Sequence, residues 1–198
     1  MRKVSLVGLM LLLFCSTLAV AQTAELAGGW NFLHVDSDFL PTQNSVPGGF
    51  FIDGTYYFAN VLGLAGDFDY NKKTFSSDPN FTGGEQGRVY SFHVGPRVKA
   101  RIGTLEPFAH VLFGFTNVNF SDLMTNPPCF AGQTSCSDNA FSMKLGGGLD
   151  VKFVPHIALR IGELNYYFTK FSSVTSAVNA GFNNRQNNIT FSVGVVLR

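Results

Sequence analysis

The sequence predicts an all-β fold, an eight-stranded antiparallel up-and-down transmembrane β-barrel. Three observations carry that reading. Apolar and polar residues alternate with a period of two along segment after segment, which gives each strand one oily face and one polar face. The connections between these segments alternate between short and long, as in a barrel with tight turns at one rim and display loops at the other. Charged residues make up only 14% of the chain while apolar residues reach 45%, with 21 Phe; soluble domains carry roughly 25% charged residues. A soluble ligand-binding barrel turns its oil inward and its charge outward, whereas a membrane barrel does the reverse. So few charges would solvate such an exterior poorly, and the oily face is assigned to lipid.

The chain opens with Arg2 and Lys3, an apolar run from Val4 to about Phe14, and the small-x-small end Ala19-Val20-Ala21. Residues 1–21 are read as a cleaved secretory signal and residues 22–198 as one barrel domain. The apolar run falls just short of a spanning helix. Cys15 follows bulky Phe14, where a lipoprotein signal needs a small residue, so no lipid anchor is expected. The formal charge of +1 turns slightly negative once Arg2 and Lys3 are removed, and no basic field invites nucleic acid. No second long apolar run follows. Any spanning structure must then be a closed barrel, which satisfies every backbone group inside hydrocarbon.

Eight strands are predicted, at about Glu25 to Val35, Gly49 to Phe58, Val61 to Tyr70, Arg88 to Ala100, Leu105 to Asn117, Ala140 to Lys152, His156 to Phe168 and Gln186 to Leu197. Most approach the roughly 9–11 residues that a tilted membrane strand needs. Ala59-Asn60, Arg101 to Thr104 and Phe153 to Pro155 are short turns, the second marked by Gly103. Asp36 to Gly48, Asn71 to Gly87, Val118 to Asn139 and Thr169 to Arg185 are long loops. That alternation points to an outer membrane with both termini periplasmic.

The hairpin from Val89 to Phe115 shows the pattern most fully. Tyr90, Phe92, Val94, Pro96 and Val98 share one parity, and Ser91, His93, Gly95, Arg97 and Lys99 the other. The lists agree elsewhere: Trp30, Phe50, Ile52, Leu64, Phe141, Leu145, Ile189 and Phe191 fall outward, while Asn31, Asp69, Ser142, Asp150, Thr190 and Ser192 fall inward. Two strands resist. Leu33 and Val35 share parity with Asn31, and Arg160 and Glu163 fall on opposite faces unless a bulge near Gly162 shifts the register.

Gly95-Pro96-Arg97 followed by Pro107-Phe108, then LRIGELNYYFTKF from Leu159 and NNRQNNITFSVGVVLR from Asn183, resemble the small eight-stranded OmpA/OmpX-like bacterial outer-membrane barrels. The resemblance covers essentially the mature chain. It implies an integral outer-membrane protein, bound by outer-membrane lipid and inserted by the barrel-assembly machinery. Family members usually finish with an aromatic residue which that machinery reads, whereas this chain stops at Leu197-Arg198. Either the last residue is missing or assembly relies on Phe191 and the FSVGV core.

The candidate site is a charge network in the barrel interior: Asp53, Asp67, His93, Arg97, His110, Lys144, Arg160 and, with the bulge, Glu163. An eight-stranded barrel is just wide enough for side chains to fill, so these charges are expected to pair and plug the lumen rather than line a pore. The alternative is a narrow ion path in which Arg97 and Arg160 exchange partners. Ser91 and His93 share a face and suggest a lipid-modifying hydrolase, but no orienting carboxylate is evident. His34 and His156 near strand ends read as solvated residues, and no cluster has metal-ligand spacing. Cys129 and Cys136, in the third long loop of an exported chain, are expected to form a disulfide. The Asn80, Asn119 and Asn188 sequons read as chance. No cofactor is implied. The expected function is a non-catalytic envelope protein whose loops meet an extracellular ligand; the alternatives are a small-solute channel, a lipid-modifying enzyme and a soluble lipocalin-like carrier.

Overall fold

The computed structural model describes residues 24–36, 45–75, 85–121, 135–171 and 185–198. The alternating segments form eight strands: β1 (Ala24–Asp36), β2 (Ser45–Tyr57), β3 (Leu62–Phe75), β4 (Glu85–Lys99), β5 (Leu105–Ser121), β6 (Ser135–Val154), β7 (Ile157–Phe171) and β8 (Arg185–Leu197). Each pairs antiparallel with the next. β1 also pairs with β8, from Leu26 opposite Leu197 to Asp36 opposite Asn187, and the sheet closes on itself. Closure leaves no row of unpaired backbone groups for hydrocarbon to strand. The expected signal at residues 1–21 and Cys129 lie outside the described residues; Cys136 falls in β6, opposite Phe120.

The strands overrun the oily alternation at the long-loop end. Alternation ends the third strand at Tyr70, yet β3 continues to Phe75, pairing residues 71–75 with residues 85–89 of β4. β2, β5 and β6 extend in the same way. A ladder needs only backbone N–H and C=O groups, so pairing persists through polar residues where lipid contact has ended. At the other rim the turns are tight. Ile102 and Leu105 exchange backbone hydrogen bonds of 2.8 and 3.0 Å around Gly103, whose φ of 63° suits glycine. Between the sixth and seventh strands the turn is shorter than expected, because β6 runs past a register shift to pair Val154 with Ile157.

Burial is inside out. Trp30, Ile52, Leu64, Phe92, Phe113, Phe141, Leu164 and Phe191 are exposed on the outer wall, while Arg97, Arg160, Lys99 and Lys144 are among the largest fully buried side chains. Both resisting strands resolve physically. Leu33 does point inward, at 2% exposure, and packs with Val46 and Tyr167 as an apolar patch within the lumen. In β7 the register against both neighbours shifts between Arg160 and Glu163, so both turn inward and Leu164 and Tyr166 turn out. At Gly148 of β6 a Cβ would stand 2.4 Å from the Gly162 carbonyl oxygen and 2.8 Å from the Phe108 ring, so only glycine lets the two strands and that ring approach so closely.

Candidate functional site

The lumen contains every residue of the predicted network, all buried. Three groups of contacts stack along it. In the middle, Arg97 of β4 makes a two-pronged pair with Asp53 of β2, one prong at 2.8 Å, and donates to Thr55 at 2.7 Å. Arg160 of β7 reaches three carboxylates: Asp150 at 2.9 Å, Glu163 at 2.6 Å and Asp53 at 3.2 Å. Asp53 thus joins the two guanidiniums. Planar forks suit such shared, multiply bonded sites. Both guanidiniums also lie over Phe108 of β5, at 4.9 and 4.4 Å from its centroid. His110 accepts from Arg97 at Nδ1 (3.1 Å), which leaves Nε2–H to donate to Asn165 at 2.8 Å. An arginine can only donate, so this geometry belongs to a neutral imidazole.

Nearer the long loops, Lys144 of β6 donates to Asp67 at 2.6 Å and to Asp69 of β3. Ser91 and Asn31 also donate to Asp69, at 3.1 and 3.0 Å. The Ser91–His93 pairing suggested by parity is not formed. His93 instead takes Asp67 at Nδ1 (3.0 Å) and Ser142 at Nε2 (2.8 Å), with Thr116 donating to Ser142 at 2.9 Å and bonded in turn to Tyr167. Asp67–His93–Ser142 therefore has the connectivity of a nucleophile, base and orienting carboxylate. Ser142 has no exposed surface, however, and its hydroxyl is closed in by Thr116 and His93. Asp67, Asp69 and His93 also bring ligand atoms within 4.8 Å of one another. Sequence spacing hides that grouping because the histidine comes from the neighbouring strand. The Lys144 ammonium sits against both carboxylates and supplies the cation they hold.

At the short-turn rim lies a group that the predicted site omits. Lys99 contacts Glu25 at 2.5 Å, Asp150 at 2.8 Å and Glu106 at 3.7 Å, and Arg198 spans from Glu25 at 3.1 Å to Glu106. The signal was present: Lys99 shares parity with Arg97, and Glu106 with His110. Phe108 shares that parity too, but an aromatic on the polar face gives no hint of its purpose until the cations around it are seen. Of the other histidines, His156 is exposed in a turn and His34 is half-buried in β1. Asn188 is buried and donates to Thr169 at 3.0 Å, which leaves no room for a glycan.

The outer membrane protein beta-barrel domain family matches residues 7–198. No curated protein matches the sequence. Among solved structures, the attachment invasion locus protein Ail of Yersinia pestis, in complex with the heparin analogue sucrose octasulfate, is 18% identical, with 89% of this chain and 97% of that chain covered and a TM-score of 0.56. Neisserial surface protein A is 13% identical over 89% of this chain and 98% of that chain, with a TM-score of 0.61. A major outer membrane protein from Thermus thermophilus is 13% identical over 90% and 99%, with a TM-score of 0.52. At these identities the likeness is one of fold.

Proposed function

This chain belongs to the outer membrane protein beta-barrel domain family, and from that premise we propose that it is a non-catalytic envelope scaffold whose lumen is a structural plug. The observation that carries the reading is Arg160, buried at the centre and bonded to Asp53, Asp150 and Glu163 from three different strands. Ion pairs so placed tie the wall together across the bore and leave side chains where a channel needs water. Folded protein in a planar bilayer should show no large, persistently open conductance. Sustained porin-sized currents would overturn the plug. The second reading, a narrow ion path, draws on the same three carboxylates, between which one guanidinium could exchange. Small flickering currents abolished by Arg97→Ala would favour it.

The scaffold reading includes a periplasmic position for both termini, surface display of the long connections, and insertion by the barrel-assembly machinery. Ail was crystallised with a heparin analogue; for this chain an extracellular ligand of the loops is the corresponding proposal. Protease added to whole cells should cut the connection between β5 and β6 and spare a tag at the C-terminus. Cutting at the tag instead would reverse the orientation. Signal cleavage after Ala21 and a Cys129–Cys136 disulfide belong to the same proposal, and intact masses of the purified protein before and after reduction test both.

A further inference from the structure

One pair of neighbouring strands is joined by no connection at either end. The other neighbours follow one another in the chain, whereas β1 and β8 meet only because the sheet closes. At the short-turn rim, three of the pairs beside the turns are finished by a backbone hydrogen bond. Lys99 N–H donates to Val61 O between β4 and β3 (2.8 Å), Lys152 N–H to Thr104 O between β6 and β5 (2.8 Å), and Arg198 N–H to His156 O between β8 and β7 (3.1 Å). The ladder of the seam stops at Leu26 opposite Leu197, and beyond it side chains take that place. Glu25 and Arg198 are the next residues of the two strands in this register, on the inward parity of Ala27 and Val196. Arg198 Nε lies 3.1 Å from Glu25 Oε1, an opposite-charge pair directly across the seam. The same guanidinium turns its other two nitrogens to Glu106 of β5, Nη1 donating to Oε1 at 2.7 Å and Nη2 to Oε2. A two-pronged bond of this kind fixes direction as well as distance. One side chain thus ties both edges of the seam to the far wall of the barrel.

The two carboxylates need this cation. Both are buried, with 3% side-chain exposure each. Lys99 faces Glu25 at 2.5 Å and Glu106 at 3.7 Å, but Asp150 draws the same ammonium at 2.8 Å. Arg101 stands 3.8 Å from Glu25 with its side chain 32% exposed, and donates to the Asn60 carbonyl. Without Arg198, Glu106 would keep only the distant edge of a shared ammonium, and a buried carboxylate so placed is costly. We infer that Arg198 is the clasp of the barrel seam: Glu25 and Glu106 form an internal docking site for the guanidinium that follows β8, and its occupation sets how often β1 and β8 part at the short-turn rim. Arg160 braces the wall at mid-height, whereas the clasp acts on one strand pair at one end, and it does so through β5, which neighbours neither edge of the seam.

The test is amide hydrogen exchange of the full-length mature protein in phosphatidylcholine nanodiscs, read residue by residue by NMR. Arg198→Ala keeps the backbone bond to His156. It should speed exchange of the amides that bond across the seam in the Leu26–Leu197 and Ala27–Val196 rungs about tenfold or more, as expected when a charge-assisted hydrogen bond that holds a local opening closed is lost. The Val98–Ala109 rung of β4 and β5 should exchange as in the wild type. Glu106→Gln should speed the same seam amides although it lies on β5, and should leave the neighbouring Leu105–Val151 rung unchanged. The double variant should be no faster than Arg198→Ala alone, since both changes break one set of bonds. Arg198→Lys, whose ammonium cannot fork, should fall between Arg198→Ala and the wild type, and Lys152→Ala, an exposed cation at the same rim, should change nothing. A gel shift before and after boiling verifies that each variant is folded; should Arg198→Ala not fold, Arg198→Lys and Glu106→Gln carry the test. Wild-type seam exchange in the folded Arg198 and Glu106 variants, an equal rise on every rung of the barrel, or additive effects in the double variant would each overturn the clasp.

Discussion

Arg97 and Val98 are consecutive residues of β4 with opposite surroundings: Arg97 is 1% exposed inside the barrel, and Val98 is 49% exposed on the outside. The same contrast runs along every strand. The wall separates two solvents, lipid outside and a packed, hydrogen-bonded ionic medium within, and each residue is stabilised only on its own side. What matters for a charge is therefore not its burial but which face holds it. Inside, a charge is one partner in a network and is costly to remove. On the lipid-facing band a charge is costly to add, and at the rim it counts for little in stability.

The largest expected effect breaks the inner face. Asp53→Asn keeps the side chain's shape but removes the charge shared by Arg97 and Arg160, leaving two guanidiniums short of a partner. Losing one member of a buried ionic group costs on the order of 3–5 kcal/mol. Urea unfolding in phosphatidylcholine vesicles should show the loss, followed by the fluorescence of Trp30, the single tryptophan, which is exposed on the outer wall. An unchanged midpoint would show that the lumen ion pairs contribute nothing. The complementary break is on the other face. Val94, 45% exposed on β4, replaced by Arg should cost about 2–4 kcal/mol if it lies near the bilayer midplane. A cost below that of a rim substitution would contradict the assignment of this face to lipid.

Phe108 sharpens the comparison because it is an aromatic on the polar side. Its ring serves as the surface over which Arg97 and Arg160 lie, so Phe108→Leu keeps apolar bulk but loses the electrostatic attraction of the ring face. A loss of about 1–2 kcal/mol in the same titration is expected. The comparison variant Phe113→Leu, lipid-facing on the same strand, should lose less, since its ring faces hydrocarbon rather than the lumen cations. Equal losses would mean that the Phe108 ring acts through packing alone.

Most of this architecture was legible in the sequence, because a period of two reports which face a residue occupies whatever its partners are. Asp53, Asp67, His93, Arg97, Lys144 and Arg160 could be grouped in this way, and the conflict between Arg160 and Glu163 even located the bulge. Partner choice was not legible. His93 bonds Ser142, 49 positions away, and only the closing of the barrel brings β4 and β6 together around the lumen. Strand ends were hidden for a different reason: the ladder beyond Tyr70 is held by backbone bonds, which leave no apolar trace. Lys99, Glu106 and Glu25 carried the parity of the inner face but were left out of the network because each stands at the end of a strand beside a turn, where a charged side chain reads equally well as a solvated rim residue.

The smallest expected effect completes the comparison at the rim. Lys72→Ala removes a full positive charge, as Asp53→Asn removes a full negative one, but from an outward position directly across from Arg88. Exposed ion pairs contribute roughly 0–1 kcal/mol, and a like charge opposite on the ladder is mildly unfavourable. These two small terms have opposite signs. In phosphatidylcholine vesicles the unfolding midpoint should therefore move by no more than about 0.5 kcal/mol in either direction. A loss in phosphatidylcholine as large as that from Asp53→Asn would show that the rim is bound into the same ionic network as the lumen, and the division of the wall into two faces would fail there.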